Sequence, residues 1–335
     1  MAVYTQLSES DIEGLLTQYD IGTLVSFEPI AEGVTNTNYL LLTKHETRTT
    51  NYILTLFEKH FELSELPYFT SLMEWWHARG ISCPQPIVGK SGRTLCALKE
   101  KPALIVSFLD GSGVKNILPE HLLQLGEMVA RMHIAGIDFP HVRENKLSVK
   151  GWEAIIDKII DRADEIEPGL KKLISEEYNY LSEHWPSDLP RGPIHADLFP
   201  DNVFFNKPFG GKPLLSGVID FYFSCNDFWA YDLAIIINAW CFDDRHRLVK
   251  ERVQALLAGY NDIRPISAEE DAAFALLLRG ASLRFLLTRS YDWLNRVEGA
   301  LVNVKDPMEY VKKLRFWQNS FLPPLPLAGE GGEGV

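Results

Sequence analysis

The sequence predicts an α+β fold in which a mixed first part precedes a mainly helical second part. Up to residue 108, short runs rich in β-branched and aromatic residues alternate with helix candidates. After Pro119, apolar residues recur at the three- and four-residue spacing of helices. With 335 residues, of which 46% are hydrophobic, the chain can bury a sizeable core, and we expect two lobes.

The first part contains clear helix and strand signals. Ser8 is an expected helix N-cap, because Asp11 lies three residues on and apolar side chains follow along one face. The polar residues 44–51 predict a hairpin turn between the second and third strands. The predicted elements are helices over 8–19 and 63–78 and strands over 23–30, 38–43, 52–57 and 103–108.

Helix signals dominate the second part. Pro119 occupies an expected N1 position and opens a helix through Met132. His133, near the end of this helix, is expected to be a packed or capping residue rather than a ligand. Further helices are predicted over 152–166, 170–185, 248–260, 268–287 and 307–314, and the Pro- and Gly-rich residues 323–335 are predicted to be a disordered tail.

One segment of the second part carries polar residues at a spacing that indicates chemistry. His195, Asp197 and Asn202 form a His-x-Asp-x-x-x-x-Asn pattern, and Asp220 follows after a short apolar run. The same pattern marks the catalytic loop and the metal-binding Asp of the protein-kinase signature. The two apolar runs between Asn202 and Asp220 predict a β-hairpin with these side chains at its ends.

Phosphoryl transfer explains why these residue types occur together. A carboxylate must orient the attacking hydroxyl and accept its proton, which suits Asp197. Hard oxygen ligands must hold Mg²⁺ against the phosphates, which suits Asn202 and Asp220. Each residue alone has a structural alternative, since Asn favours turns and a carboxylate at a strand end can cap a turn. We favour the functional interpretation because all three occur at the kinase spacing.

The segments around these residues resemble the aminoglycoside phosphotransferase and choline kinase superfamily. Within it, the chain resembles the bacterial homoserine kinases of the kinase-fold type. The resemblance implies a bilobal protein-kinase-like fold, with a nucleotide-binding lobe over 1–108 and a catalytic and substrate-binding lobe over 109–322. The segments that carry the resemblance are 32–39, 52–58, 195–202, 218–221, 229–234 and 283–289.

The same resemblance implies the ligands and the reaction. ATP and Mg²⁺ would be the cofactors, and L-homoserine would be the acceptor, phosphorylated to O-phospho-L-homoserine on the path to threonine. His195 would brace the catalytic loop. Ala196 replaces the Arg of the usual His-Arg-Asp sequence. We therefore expect an enzyme that needs no phosphorylation switch.

The loop expected to cover the phosphates departs from the kinase pattern. Residues 31–38 lie between two predicted strands but contain a single glycine, Gly33. We expect backbone N–H groups here, together with Thr35 or Asn36, to contact phosphate, and an ordinary polar turn is the alternative. No Walker A pattern occurs in the chain, which excludes a P-loop kinase.

Two further nucleotide contacts are expected. Thr55 occupies the position where kinases have the β3 Lys that pairs with the phosphates. The sequence leaves open whether another cation or a hydroxyl takes that role. Backbone groups at Ser107 and Leu109, at the expected hinge, are predicted to meet adenine.

The acceptor site must hold an ammonium and a carboxylate. Arg284 is the predicted carboxylate ligand, because its sequence neighbours are apolar and an idle Arg is unusual there. Asp227 is a candidate for the ammonium, and Tyr231, in the segment with the family resemblance, completes the predicted site. Other candidates are Arg279 and Arg289 for the carboxylate and Asp243 and Asp244 for the ammonium.

The net charge and the hydropathy of the chain limit its expected partners and its expected location. The formal net charge of -12 argues against nucleic acid or an anionic membrane as the main partner. The apolar run 233–242 is too short to span a bilayer, and the N-terminal residues do not read as a secretory signal, so we expect a cytoplasmic protein. Two alternatives stay open: a kinase of another small amino alcohol or an aminoglycoside, and a kinase-like binding module without activity.

Overall fold

The chain divides between Asp110 and Gly111 into two units. The computed structural model describes residues 5–30, 36–58, 63–206, 211–296 and 304–320. The predicted tail, residues 323–335, lies outside these described residues.

A five-stranded antiparallel sheet forms the first unit together with two helices. Its elements are α1 (Glu9–Leu16), β1 (Thr23–Ile30), β2 (Thr37–His45), β3 (Arg48–Leu56), α2 (Leu66–His77), β4 (Leu95–Leu98) and β5 (Lys101–Ser107). The strand order is β1-β2-β3-β5-β4. Every helix and strand predicted in this part is found, whereas β4 was not predicted, because four residues are too short to show an alternation.

Two local predictions in this unit have different outcomes. The N-cap at Ser8 is confirmed, because its Oγ accepts a hydrogen bond from the Asp11 N–H while the Asp11 carboxylate accepts one from the Ser8 N–H. The predicted turn over 44–51 is wrong in extent, because β2 continues to His45 and β3 begins at Arg48. The first residues of β3 are polar because they are largely exposed, although they remain paired with β2.

The sheet is apolar on the face that packs against α1. Alternate residues of a strand point to opposite faces, and those of β2, β3 and β5 on this face form one buried cluster with the helix. Asn38 and Thr55 are offset by one residue from this set, so they lie on the opposite face. The cluster includes Ile12, Leu15, Tyr39, Leu41, Leu54, Leu56, Ala103 and Ile105.

Helices and two short strand pairs make up the second unit. Its elements are α3 (Pro119–Ala135), α4 (Val149–Ile159), α5 (Leu170–His184), β6 (Arg191–Ile194), β7 (Val203–Asn206), β8 (Leu214–Val218), β9 (Cys225–Phe228), α6 (Trp229–Trp240), α7 (Lys250–Ile263), α8 (Ala268–Leu294) and α9 (Met308–Asn319). The predicted helices and the predicted β7–β8 hairpin are present. The β6–β9 pair and α6 were not predicted.

Helix α6 escaped prediction because it is buried almost all round. Its sequence is a nearly continuous apolar run, so it lacks the periodicity of a surface helix. Asn238, the polar residue inside this run, donates to the backbone carbonyls of Ala234 and Leu278 and accepts from Ser282 Oγ and Trp317 Nε1. A fully satisfied buried amide thus joins α6 to α8 and α9. Within the described ranges, no helix is long and apolar enough to cross a membrane.

Glycines allow α3 and α7 to approach closely. A Cβ atom at Gly126 in α3 would overlap the carbonyl oxygen of Leu256, and one at Gly259 in α7 would overlap the carbonyl oxygen of Leu123. The clashing atoms are backbone atoms, which cannot move without displacing a helix. This contact holds in place α3, the helix that carries His133.

We expect Gly259→Ala to destabilise the protein by about 1–3 kcal/mol, because the added methyl group must push the two helices apart. Gly14→Ala is the matched control, since Gly14 lies in α1 with no atom near the added Cβ. There the substitution should be neutral or stabilise by up to about 1 kcal/mol. Thermal unfolding of both variants measures the difference, and equal melting temperatures would contradict the close packing of α3 and α7.

Candidate active site

His195 begins the predicted catalytic loop and fixes its position. The residue follows β6 directly and is completely buried. Its Nε2 donates to the carbonyl oxygen of Ile219 (2.9 Å), and its Nδ1 accepts from the N–H of Asp197 (3.3 Å). Burial lowers the pKa of His195, which agrees with the neutral tautomer that these two bonds require. His195 therefore ties the loop to the segment that carries Asp220.

Asp197 and Asn202 lie side by side at opposite ends of a short turn. Asn202 Nδ2 donates to the backbone oxygen of Asp197 (2.8 Å) and to its carboxylate Oδ2 (3.2 Å). Burial raises the pKa of the Asp197 carboxyl, while the nearby Arg284 acts in the opposite direction. Because the amide nitrogen of Asn202 faces Asp197, its Oδ1 points away and can serve as an oxygen ligand.

Asp220 stands at the end of the hairpin in an unusual backbone conformation. It has φ 66°, in the left-handed region that non-glycine residues rarely adopt. The Ile219 N–H donates to the Asn202 carbonyl (2.9 Å), so the two ends of the hairpin meet. Burial and the neighbouring Asp197 raise the pKa of Asp220 to about 7. The turn thus holds a carboxylate close to a second one.

This donor set fits a magnesium ion that is also bound by phosphate. Mg²⁺ usually takes one or two protein carboxylates or amide oxygens and completes its octahedron with waters and phosphate oxygens. The Asn202 amide and the Asp220 carboxylate are of this kind. In the part of the chain that the structure describes, no group of three His, Cys, Asp or Glu side chains forms an all-protein metal cage.

A buried carboxylate beneath the loop, Asp232, holds its backbone. Asp232 lies in α6 and has no exposed surface. Its Oδ2 accepts from the N–H of His195 (3.0 Å), and its Oδ1 accepts from the N–H of Ala196 (2.9 Å). Burial alone would raise the pKa of Asp232, but these bonds and one from His133 outweigh it and hold the pKa below its usual range. The carboxylate is therefore ionised and engaged on both oxygens.

The same carboxylate is the end of a buried chain of hydrogen bonds. His133 Nε2 donates to Asp232 Oδ2 (3.3 Å), and His133 Nδ1 pairs with the hydroxyl of Tyr260 (2.8 Å). That hydroxyl accepts from Arg264 Nη1 (3.0 Å), and Arg264 Nη2 binds Glu270 (3.0 Å). His133 is thus a packed residue, as predicted, and it connects α3 and α7 to the helix that supports the loop.

The predicted acceptor residues lie together in the interior of the second unit. Arg284 is 2% exposed, and its Nη1 donates to the carbonyl oxygen of Ala196 (2.6 Å). Tyr231 is fully buried and interacts electrostatically with Arg284 and Asp227. Asp227 is also buried and accepts from Asn145 Nδ2 (2.7 Å) and from the N–H of Phe228 (2.8 Å). Their role toward an acceptor stays a prediction.

Three of the other candidates for the acceptor site have other partners. Arg279 forms a two-point ion pair with the buried Glu177, and Arg289 pairs with Glu309. Asp243 accepts from Arg247, which holds the pKa of Asp243 at about 2.

The predicted nucleotide residues of the first unit are described in part. Gly33 and Thr35 lie outside the described residues. Asn36 is buried, and its Oδ1 has no hydrogen-bond partner among the described residues. Ser107 pairs with Gln85 through its N–H and its hydroxyl, while Leu109 follows β5 and is half-buried. Their contacts with nucleotide stay predictions.

Thr55, at the position of the usual Lys, pairs with an amide. Its Oγ1 donates to Asn38 Oδ1 (2.7 Å). Lys101 of the same sheet forms an ion pair with Glu58, and Glu58 also accepts from Thr37 (2.8 Å). Thr37 and Lys101 share the face that packs on α1, by alternation with Tyr39 and Ala103. Lys101 is therefore on the opposite face from Thr55 and does not take its place.

The sequence missed the residues that support the loop from below. Asp232 and His133 were visible as residues but not as a pair, since they lie in different helices. A signal did exist for Asp232, because an acidic residue within an apolar run is rarely buried without partners. Trp240, which donates from Nε1 to the carbonyl of Leu198 (2.8 Å), offered no such signal.

Comparison with known proteins identifies the class. Residues 26–266 match the Phosphotransferase enzyme family. The chain belongs to this family, which confirms the predicted resemblance to aminoglycoside phosphotransferases.

Two relatives and one solved structure show which individual proteins this chain is similar to. A homoserine kinase from Paramagnetospirillum magneticum is 51% identical over 95% of this chain and 97% of its own length. A homoserine kinase from Rhodopseudomonas palustris is 52% identical, with 95% of each chain covered. Among solved structures, an amicoumacin kinase in complex with AMP-PNP and Ca²⁺ has a TM-score of 0.68 at 14% identity, covering 93% of this chain and 92% of that chain. This likeness confirms the predicted kinase-like fold.

We expect Asp232→Asn to reduce phosphotransferase turnover roughly tenfold or more and to lower stability by about 1–3 kcal/mol. The amide has one accepting oxygen, so its nitrogen would face a backbone N–H and leave it unpaired. Asp262→Asn is the control, because Asp262 is exposed on α7. Turnover and urea denaturation measure the two effects, and normal turnover in Asp232→Asn would show that the loop does not depend on this carboxylate.

Proposed function

We propose that the protein is an ATP-dependent homoserine kinase, which transfers the γ-phosphoryl group of ATP to the hydroxyl of L-homoserine. The observation that carries this proposal is the joint placement of Asp197, Asn202 and Asp220 around the catalytic hairpin. The half-identical homoserine kinases, which cover nearly the whole chain, support the choice of acceptor.

In this proposal Asp197 receives the proton of the attacking hydroxyl. Asp197 is half-buried, and its carboxylate is oriented by the Asn202 amide. The backbone on its amino side is fixed by His195 and Asp232, so the carboxylate is already oriented when substrate binds. Such positioning lowers the entropic cost of reaching the reactive arrangement.

Asn202 and Asp220 would hold Mg²⁺ with the phosphates. When bound, the ion neutralises charge on the phosphate oxygens during transfer. The residues contribute by geometry: the hydrogen bond between the Ile219 N–H and the Asn202 carbonyl keeps both ligands at the same end of the hairpin. Asp220 is further restricted by its left-handed backbone conformation.

Homoserine would bring an ammonium and a carboxylate to this site. The ammonium calls for a carboxylate, for which we propose Asp227, close to Tyr231. Asp227 already accepts two hydrogen bonds, which keep it oriented. Burial raises the pKa of Asp227, so a bound ammonium would stabilise its ionised form.

An ADP-release assay across a panel of acceptors tests the proposed function. We expect L-homoserine to be used best, and 3-aminopropanol, choline and an aminoglycoside to be used poorly. Asp197→Asn is the internal control and should lower turnover by about 10²–10⁴-fold with nucleotide binding retained, because a positioned base typically contributes that much. If another acceptor is used best, that acceptor replaces homoserine as the proposed substrate. Near-normal turnover of Asp197→Asn would show that Asp197 is not the proton acceptor.

We expect Asp220→Ala to abolish the Mg²⁺-dependent part of nucleotide affinity, because a carboxylate ligand of the metal is lost. Asp201→Ala is a matched control from the same loop, since the Asp201 side chain is 83% exposed. Calorimetric titration of ATP with and without Mg²⁺ measures both variants. Mg²⁺-dependent affinity that survives in Asp220→Ala would assign the metal to other ligands.

A further inference from the structure

Arg284 is a buried arginine whose side chain ends at the catalytic loop rather than at the surface. It lies in the middle of α8 and is 2% exposed. Its guanidinium packs over the ring of Phe285, with the centroid 4.6 Å away, and Nη1 donates to the carbonyl oxygen of Ala196 at 2.6 Å. A charged donor buried in this way needs a structural explanation, since burying an arginine is costly.

Ala196, which receives this bond, has a strained backbone. Its φ of 63° lies in the left-handed region, which is unfavourable for a residue with a Cβ atom. Such a conformation persists only when the surrounding contacts impose it. On its amino side, the N–H of Ala196 is held by Asp232 Oδ1. On its carboxyl side, the carbonyl is held by Arg284.

The peptide group that Arg284 holds is the one that leads into Asp197. Its oxygen accepts from Arg284 Nη1, and its N–H, which belongs to Asp197, donates to His195 Nδ1 at 3.3 Å. Both polar atoms of a planar unit are therefore fixed. The orientation of this plane sets the direction in which the Asp197 side chain leaves the backbone.

We propose that Arg284 is a positioning residue that orients Asp197 by holding the carbonyl of Ala196. This role rests on the proposed phosphotransfer function and replaces the carboxylate contact that the sequence suggested for Arg284. The two roles predict different kinetics. A loop-positioning residue affects the rate with every acceptor, whereas a carboxylate ligand affects the KM for homoserine alone.

The test compares Arg284→Met with Arg279→Met. Both arginines lie in α8, and Arg279 donates from Nε and Nη2 to the buried Glu177 at 2.7 Å each, so its loss also breaks buried bonds but away from the loop. We expect Arg284→Met to lower kcat for both homoserine and 3-aminopropanol by roughly ten- to a hundredfold, the equivalent of one hydrogen bond to a charged group. The KM for homoserine should stay within about threefold, a change below one such bond. Arg279→Met should lower the melting temperature but leave kcat unchanged.

Arg284→Lys provides the rescue and also serves if Arg284→Met fails to fold. An ammonium can still donate one hydrogen bond to the Ala196 carbonyl, so kcat should recover in part with both acceptors. A raised KM for homoserine with normal kcat, and no effect on 3-aminopropanol, would overturn the proposal and restore Arg284 as the carboxylate ligand. Unchanged kinetics in Arg284→Lys and Arg284→Met would also overturn it.

Hydrolysis of ATP without acceptor separates this proposal from the proposed function. Water then takes the place of the alcohol, so the rate depends on Asp197 but not on the identity of the acceptor. If the native protein does not phosphorylate homoserine, the proposed function fails, while loss of hydrolysis in Arg284→Met still supports the positioning role. If Arg284→Met hydrolyses ATP at the rate of the native protein, the positioning role is contradicted, whichever acceptor the native protein uses.

Discussion

The carboxylate of Asp232 is the constraint on which the catalytic loop depends. It is an anion without contact to water, and it is stabilised by two backbone N–H groups of the loop and by His133. The stabilisation is mutual, because the loop N–H groups would be buried without hydrogen-bond partners if Asp232 were absent. His133 in turn is held by Tyr260 across the close α3–α7 contact. The close packing of α3 and α7 at Gly126 and Gly259 thereby helps to fix the backbone beside Asp197.

Backbone strain is located beside Asp197 and at Asp220, the two carboxylates of the proposed site. Ala196 and Asp220 are non-glycine residues with left-handed backbones, at 63° and 66°. Each such residue costs on the order of 1–3 kcal/mol, which the surrounding bonds must offset. At Ala196 these bonds come from α6 and α8. At Asp220 the adjoining Ile219 is tied to His195 and to Asn202. Surrounding hydrogen bonds thus impose unfavourable backbone conformations at the two positions that set the directions of the Asp197 and Asp220 side chains.

The sequence predicts the parts of the site that are local. The spacing from His195 to Asn202 and the hairpin to Asp220 involve short loops, so the residue order alone brings these side chains near one another. Support from α6 and α8 could not be predicted in the same way, because Asp232 and Arg284 are distant in sequence from the loop and their partners within the loop are backbone atoms. Every residue type has a backbone carbonyl, so the sequence does not show which backbone atoms a side chain will bind. The fold class followed from periodicity, which among the described residues missed the fully buried α6 and the four-residue strands β4, β6 and β9.

The first unit shows how alternation within a sheet limits the choice of phosphate ligand. Thr55 replaces the usual Lys, and its hydroxyl pairs with Asn38 on the face opposite α1. Lys101 forms an ion pair with Glu58 on the α1 face, so the sheet itself separates Lys101 from Thr55. A threonine–asparagine pair can offer hydrogen bonds but no positive charge. The proposed role of Thr55 toward phosphate therefore depends on hydrogen bonding alone.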